Sequence, residues 1–379
     1  MSAPKLHAIH GQPSWSFRSS HVHVNLTQLG GHLGPVKFRV GRKIIAPFSV
    51  APWAGEKLAP GTPDIIRVLR GDFFCAPFGG NATPWRGEQH PVHGESANGR
   101  WRLETREKAD DRVTLHASLG QKIRRGRVDK YVMLIKGHSA VYQRHVLSGS
   151  SGPMNVGHHA MLKFPEAPGS GIISTSAFLR AQVFPGAFEN PDQRGYQSLK
   201  PAASFRSLSR VPLLNGGTTD LSRYPGRKGF EDLVMLTADP KLPFAWTAVT
   251  FPKERHVWFA LRDPRQLRHT ILWISNGGRH YPPWSSRHTA VMGLEEVTAY
   301  FHCGLAESVK PNPLNRKGIP TALALHPKRP TMISYIMGVA AIPAGFDRVA
   351  RIQAARNGVE LISSSGRRVS CSIDLAWLK

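Results

Sequence analysis

Two histidine pairs and one glutamate pair hold most of the chemistry this chain could perform. His90 and His93 stand three residues apart in HPVHG, and His158 and His159 are adjacent in VGHHAMLKFP. Upstream, RGDFFCAPFGGN contains Arg70, a glycine turn and Asn81; downstream, HGESANGRW runs from His93 to Trp101. In a loop, His90 and His93 can enter one pocket. One reading is a metal site completed by His158, His159 or His302. Another is a set of neutral imidazoles that move protons or bond hydroxyls. A third is chance grouping among 18 histidines. Cys75 has no base beside it in sequence, so a cysteine–histidine catalyst through His93 has little support. Glu295 and Glu296 in LEEV fall within an apparent strand, where neighbours point to opposite faces. One is therefore expected to face a pocket and the other to face outward. A carboxylate on a buried face has a raised pKa unless it is hydrogen-bonded, which suits a general base.

The elements that must position these groups read as strands. Short alternating runs rich in β-branched and aromatic residues recur at 112–118, 130–135, 256–263, 269–275, 331–339, 358–364 and 367–374, with glycine and proline between them. That pattern predicts a large antiparallel sandwich or barrel with few helices. Residues 346–357 suit either a helix or, through Val349 and Ile352, a strand. The polar, irregular stretch around 190–228 reads as an insertion, either a lid or rim beside a groove or a segment without a role. The expected organisation is an N-terminal tail over residues 1–18 and a single domain over 19–379. Trp101, Trp273, Tyr281 and Trp284 lie near the polar motifs, where flat faces could stack on the C–H faces of sugar rings. LGGHLG and NGGR read as turns.

Lysine and arginine number 50 against 25 aspartate and glutamate, a formal net charge of +25. Such a balance invites a polyanion reading. The basic residues are nevertheless spread along the chain. The densest run, 122–130, reads as a hairpin turn without the interleaved aromatics of a single-strand platform, which argues against a nucleic-acid partner. No apolar run of ~20 residues predicts a membrane helix, and the first residues lack the apolar core of a secretory signal. Three widely spaced cysteines do not make a disulfide framework and fit a cytoplasmic setting.

Taken in order, these motifs resemble the aldose 1-epimerase (galactose mutarotase-like) superfamily, and more closely its hexose-6-phosphate mutarotase branch. The likeness is carried by HVHVNLTQLGGHLGPVKF, LRGDFFCAPFGGN, HGESANGRW, GHHAMLKF, HTILWISNGG and GLEE. It implies an all-β supersandwich of two large antiparallel sheets with an open sugar groove, and acid–base ring opening without a metal or cofactor. By that resemblance Glu295 is the base on the anomeric hydroxyl and His159 the acid on the ring oxygen. His93 binds the substrate and polarises the ring, and Arg70 is the substrate-binding arginine. Asn81, His90, His158, Trp101 and Trp273 are the further candidate sugar contacts, with either His158 or His159 the inward one. The chain departs from the pattern in Met161–Leu162 after the second histidine, in HGES, and in Glu296 where a proline is usual. The family's aspartate has no match.

The expected function is interconversion of sugar anomers, on a small sugar or sugar phosphate. A non-catalytic carbohydrate-binding protein on the same fold is the alternative, followed by a polyanion-binding protein. The oligomeric state is open.

Overall fold

The computed structural model describes residues 5–379. Two antiparallel sheets face each other across the main core. The larger has nine strands, in the order Arg223–Tyr224, Gly171–Thr175, Ala245–Phe251, His256–Arg262, Thr331–Ala341, Ala140–Ser148, Gly126–Ile135, Arg112–Gln121 and Arg102–Lys108. The smaller has seven: Ser204–Phe205, Phe178–Val183, Phe230–Ala238, His269–Asn276, Val291–Thr298, Val156–Lys163 and Phe74–Cys75. This is the expected all-β sandwich of two large antiparallel sheets, with two short α-helices among the described residues, Asp64–Val68 and Leu305–Val309. Neither is long and apolar enough to cross a membrane.

Several segments differ from the sequence expectation. Residues 7–18 are not a tail. His7–Ile9 pairs with Gln12–Arg18, which in turn pairs with Val22–Thr27 in a five-stranded sheet, and Trp15 and Phe17 are buried in the main core. Their alternation of large apolar and small polar residues is strand-like. Val349–Ala355 resolves as a strand and joins Gly358–Ser363 and Arg368–Ser372 in a C-terminal sheet. That sheet covers the back of the nine-stranded one through Val349, Ile352, Val359 and Leu361. The 190–228 stretch forms only two-residue strands and 3-10 turns, and it crosses the edge of both sheets.

The seven-stranded sheet is buried on both faces. Its inner face packs Leu272, Met292, Leu294, Ala160 and Leu162 into the main core. Its outer face carries Leu233, Ile271, Trp273, Met161 and Val297 under a cover of loops that includes Trp53, Ile65, Leu69, Phe78 and Trp284. Period-two alternation therefore sends every second residue into one of two dry layers.

Candidate functional site

The register of one strand pair sets the site. Val156–Lys163 pairs with Val291–Thr298 so that His159 stands opposite Glu295 and His158 opposite Glu296. Directly opposed residues have Cβ atoms ~5 Å apart, near enough for side chains to touch. His159 and Glu295 meet on the outer face, Nε2 to Oε1 at 3.1 Å. Both line a cavity of about 240 Å³ beneath the loop cover. His158 and Glu296 meet nothing there, because they point into the inner layer. His158 Nδ1 contacts Asp72 at 2.9 Å and its ring stacks on Tyr335. Glu296 pairs with Arg262 and accepts from Thr247 and Thr270. The expectation that one glutamate would face outward is corrected. Glu295 is 1% exposed and Glu296 0%, since the strand has no solvent face. His158 is likewise removed from the candidate sugar contacts.

Gly293 lies two residues before Glu295 on the same face. A Cβ there would stand 2.6 Å from Glu295 Oε1 and 3.1 Å from Trp273, so the hydrogen keeps the carboxyl and the indole in place. His159 is backed by Phe73, whose ring stacks on it at 4.5 Å and on His32 at 4.1 Å on the other side. His93 reaches the same cavity from the loop below, its ring centroid 4.9 Å from that of His159. It sits at φ 59°, followed by Gly94 at φ 73°. Gly94 cannot carry a side chain, because its Cβ would meet the Ala76 carbonyl oxygen at 2.3 Å. The Gly79 N–H donates to His93 Nδ1, which leaves the proton on Nε2 to donate to His302 Nε2 at 3.0 Å.

The remaining candidates lie elsewhere. Arg70 is fully buried, and its guanidinium donates to the carbonyls of Val68, Ile9 and His10. It pins the N-terminal hairpin and does not line the cavity. His90 contacts Glu88, which Arg124 also holds. Asn81 ties loops together, donating to the Gly79 and Pro91 carbonyls and accepting from the Leu305 N–H. Trp101 is core, with its N–H on the Ser96 carbonyl. Of the aromatics near the polar motifs, Trp273, Tyr281 and Trp284 line the cavity. Among the described residues no group of three or more His, Cys, Asp or Glu side chains is arranged to hold a metal ion.

The arginine of the site is Arg279, in the NGGR that reads as a turn. The turn carries the chain from the end of His269–Asn276 back over the cavity. Gly278 allows the close pass, since a Cβ there would sit 2.3 Å from the Glu231 nitrogen. The Arg279 guanidinium lies over Trp284 at 4.5 Å, Trp273 at 5.3 Å and Phe188 at 5.7 Å. Its Nε donates to Glu189 at 2.7 Å, and Glu231 is 3.9 Å away. Among the described residues its terminal nitrogens have no hydrogen-bond acceptor. Glu231 lies behind Trp273, accepting from the indole N–H at 3.0 Å and from Ser275 Oγ at 2.9 Å. The 190–228 stretch begins at this rim, where the Tyr196 N–H donates to the Gly278 carbonyl and Gly195 bridges to Arg279.

Burial governs the electrostatics. It pushes Glu295 well above the usual carboxylate range, with Arg279 pulling weakly the other way. It lowers His159 to about 3, assisted by His302, and lowers His302 to about 4. His93 also falls well below its ordinary value, and Glu231 rises to about 8. At neutral pH the Glu295–His159 pair is therefore uncharged, with the carboxyl O–H donating to Nε2. Glu295 Oε2 and His159 Nδ1 have no partner among the described residues.

No family model matches the chain, and no curated protein does. Solved structures do. A proposed aldose 1-epimerase of Escherichia coli K12 aligns with TM-score 0.57 at 12% identity, over 87% of this chain and 99% of that one. A proposed aldose 1-epimerase of Klebsiella pneumoniae gives 0.59 at 13%, over 89% and 82%. A galactose mutarotase related enzyme of Lactobacillus acidophilus gives 0.53 at 11%, over 86% and 97%. The chain thus has the galactose mutarotase-like β-sandwich fold. At such identities the likeness concerns the fold alone.

Proposed function

We propose that the protein is an aldose 1-epimerase-like isomerase that interconverts the anomers of a free sugar. The observation that carries this reading is the buried Glu295–His159 contact inside a cavity lined by aromatic rings and Arg279. Ring opening of a cyclic hemiacetal needs the proton removed from the anomeric hydroxyl and another delivered to the adjacent ring oxygen. Moving the shared proton from Glu295 to His159 makes a carboxylate base beside an imidazolium acid without changing the charge of the site. Glu295 then takes the hydroxyl proton while the C1–O bond becomes a carbonyl. The C1–ring oxygen bond breaks and His159 protonates the departing oxygen. Rotation about C1–C2 and the reverse steps give the other anomer, with no net consumption of protons. His93 and His302 border the ring, and Arg279 donates to a hydroxyl. Among the described residues Arg279 is the only arginine or lysine lining the cavity, and it is already paired with Glu189. A neutral sugar therefore suits this charge balance better than a phosphorylated one.

Exchange NMR on freshly dissolved sugars tests the reading, with glucose, galactose and glucose 6-phosphate measured side by side. The protein should accelerate at least one neutral sugar, and Glu295→Gln should lower that rate by about 10²–10⁴-fold while the fold is retained. Sugar binding with no rate effect would favour the non-catalytic carbohydrate-binding reading instead.

A further inference from the structure

Among the described residues, one side of the cavity offers no polar atom to a fully hydroxylated sugar. Its wall includes Ile65, Ile66, Leu69, Val92, Leu233 and Trp284. The helix Asp64–Val68 and its C-terminal neighbour supply three of these residues, and Val92 forms an exposed rim at 39%. Much of the polar remainder is already engaged within the protein. The Trp273 N–H is held by Glu231. His93 is occupied at both nitrogens, by the Gly79 N–H and by His302. Once Glu295 and His159 serve the anomeric hydroxyl and the ring oxygen, the unengaged polar groups of the wall among the described residues are the terminal nitrogens of Arg279, the Tyr281 hydroxyl and His302 Nδ1, while the Ile65–Ile66–Leu69 side offers none.

A hydroxyl pressed against an apolar wall loses its water without gaining a partner, whereas a methyl group or a bare ring carbon gains from the same contact. We infer that the substrate is a monosaccharide in which an apolar substituent or hydrogen replaces ring or side-chain hydroxyls: a deoxy or O-methyl sugar with a free anomeric centre. This rests on the epimerase reading and specifies its substrate class. Arg279 would hold one retained hydroxyl, and the Ile65–Ile66–Leu69 wall would receive the apolar edge.

The experiment compares matched pairs by exchange NMR, with the spontaneous rate subtracted: D-fucose against D-galactose, D-rhamnose against D-mannose, and 2-deoxy-D-glucose and 3-O-methyl-D-glucose against D-glucose. In at least one pair kcat/KM should favour the deoxy or methylated member by about tenfold or more. Equal rates, or preference for the parent sugar in every pair, would overturn the inference and leave the epimerase reading standing. Failure to accelerate any sugar would remove that reading, and this inference with it. Ile66→Asn and the near-isosteric rim change Val92→Thr each add a polar group to the wall. Either should narrow the preference several-fold, and an unchanged ratio in both would show that this wall does not select the substrate.

Discussion

Glu295 and His159 face each other across an antiparallel strand pair, with Oε1 3.1 Å from Nε2 in a layer closed to solvent. Both groups prefer their neutral forms there, the acid raised and the imidazole lowered to about 3 by burial. The uncharged pair and its carboxylate–imidazolium tautomer contain the same number of protons, so pH does not shift the balance between them. A separate glutamate and histidine at their ordinary values of ~4.3 and ~6.5 would lose the acid as pH rose past ~6.5. The coupled pair should instead give a kcat with no fall near pH ~6.5. It should decline only on the alkaline side, where Glu295 finally ionises. A rate profile from anomer exchange, corrected for spontaneous mutarotation, checks this. A fall centred near pH 6.5 would mean that the two groups titrate independently.

Gly293 offers a test that leaves every ionisable group in place. Gly293→Ala puts a methyl 2.6 Å from Glu295 Oε1 and 3.1 Å from the Trp273 side chain, so the carboxyl must move. A displacement of an ångström at a reacting group costs on the order of 10²-fold in rate, and overpacking costs about 1–3 kcal/mol of stability. Steady-state kinetics should show a drop mainly in kcat, and a denaturant titration a lower midpoint with an unchanged slope.

The sandwich was legible because alternation and turn residues are local properties. The runs at 256–263 and 269–275 became strands His256–Arg262 and His269–Asn276 almost to the residue. The alternation argument also separated Glu295 from Glu296, but it assumed a wet outer face. A chain of alternating residues does not announce that loops hundreds of residues away will cover its polar side. Arg70 and Arg279 were exchanged for a related reason. A motif-borne arginine attracts attention, whereas one following two glycines reads as punctuation. Only the three-dimensional path of the 276–279 turn shows its side chain crossing the cavity. The strands of residues 7–18 were missed because the segment is terminal, and a terminus is an ordinary place for disorder.

That exchange of arginines predicts opposite phenotypes. Arg70→Lys loses most of a three-carbonyl hydrogen-bond set in a fully buried position. It should cost about 2–3 kcal/mol of stability and leave KM unchanged for the folded fraction. Arg279→Lys keeps the charge but loses the planar fork that stacks on Trp284 and Trp273. It should raise KM roughly tenfold with a smaller effect on kcat and on stability. Chemical denaturation and kinetics on the two variants separate the roles. A KM change in Arg70→Lys would return that residue to the site.

The buried titratable groups also predict how stability varies with pH. Eight histidines have lowered affinity for protons: His32, His93, His145, His158, His159, His269 and His288, which are buried, and His302, which is half-buried. The unfolded chain protonates them near pH ~6.5 while the native state does not. The unfolded state therefore binds more protons below that value, and stability falls as pH drops. His159, His269 and His288, each lowered to about 3, contribute on the order of 1 kcal/mol apiece per pH unit between ~6.5 and ~4. Four buried carboxylates act in the opposite sense. Glu231, raised to about 8, Asp232, raised to about 6, Glu295 and Glu296 stay protonated in the native state after the unfolded chain has ionised. Their contribution is complete below ~4 and is lost as pH rises through the native values. Between ~4.3 and ~6.5 the more numerous histidines win, and above ~6.5 only the carboxylates remain. Thermal unfolding should therefore show a maximum near pH 6.5, with a steep loss on the acid side and a shallower one toward pH 8. A midpoint temperature that rises steadily from pH 5 to 8 would contradict the native protonation states assigned to Glu231 and Glu295.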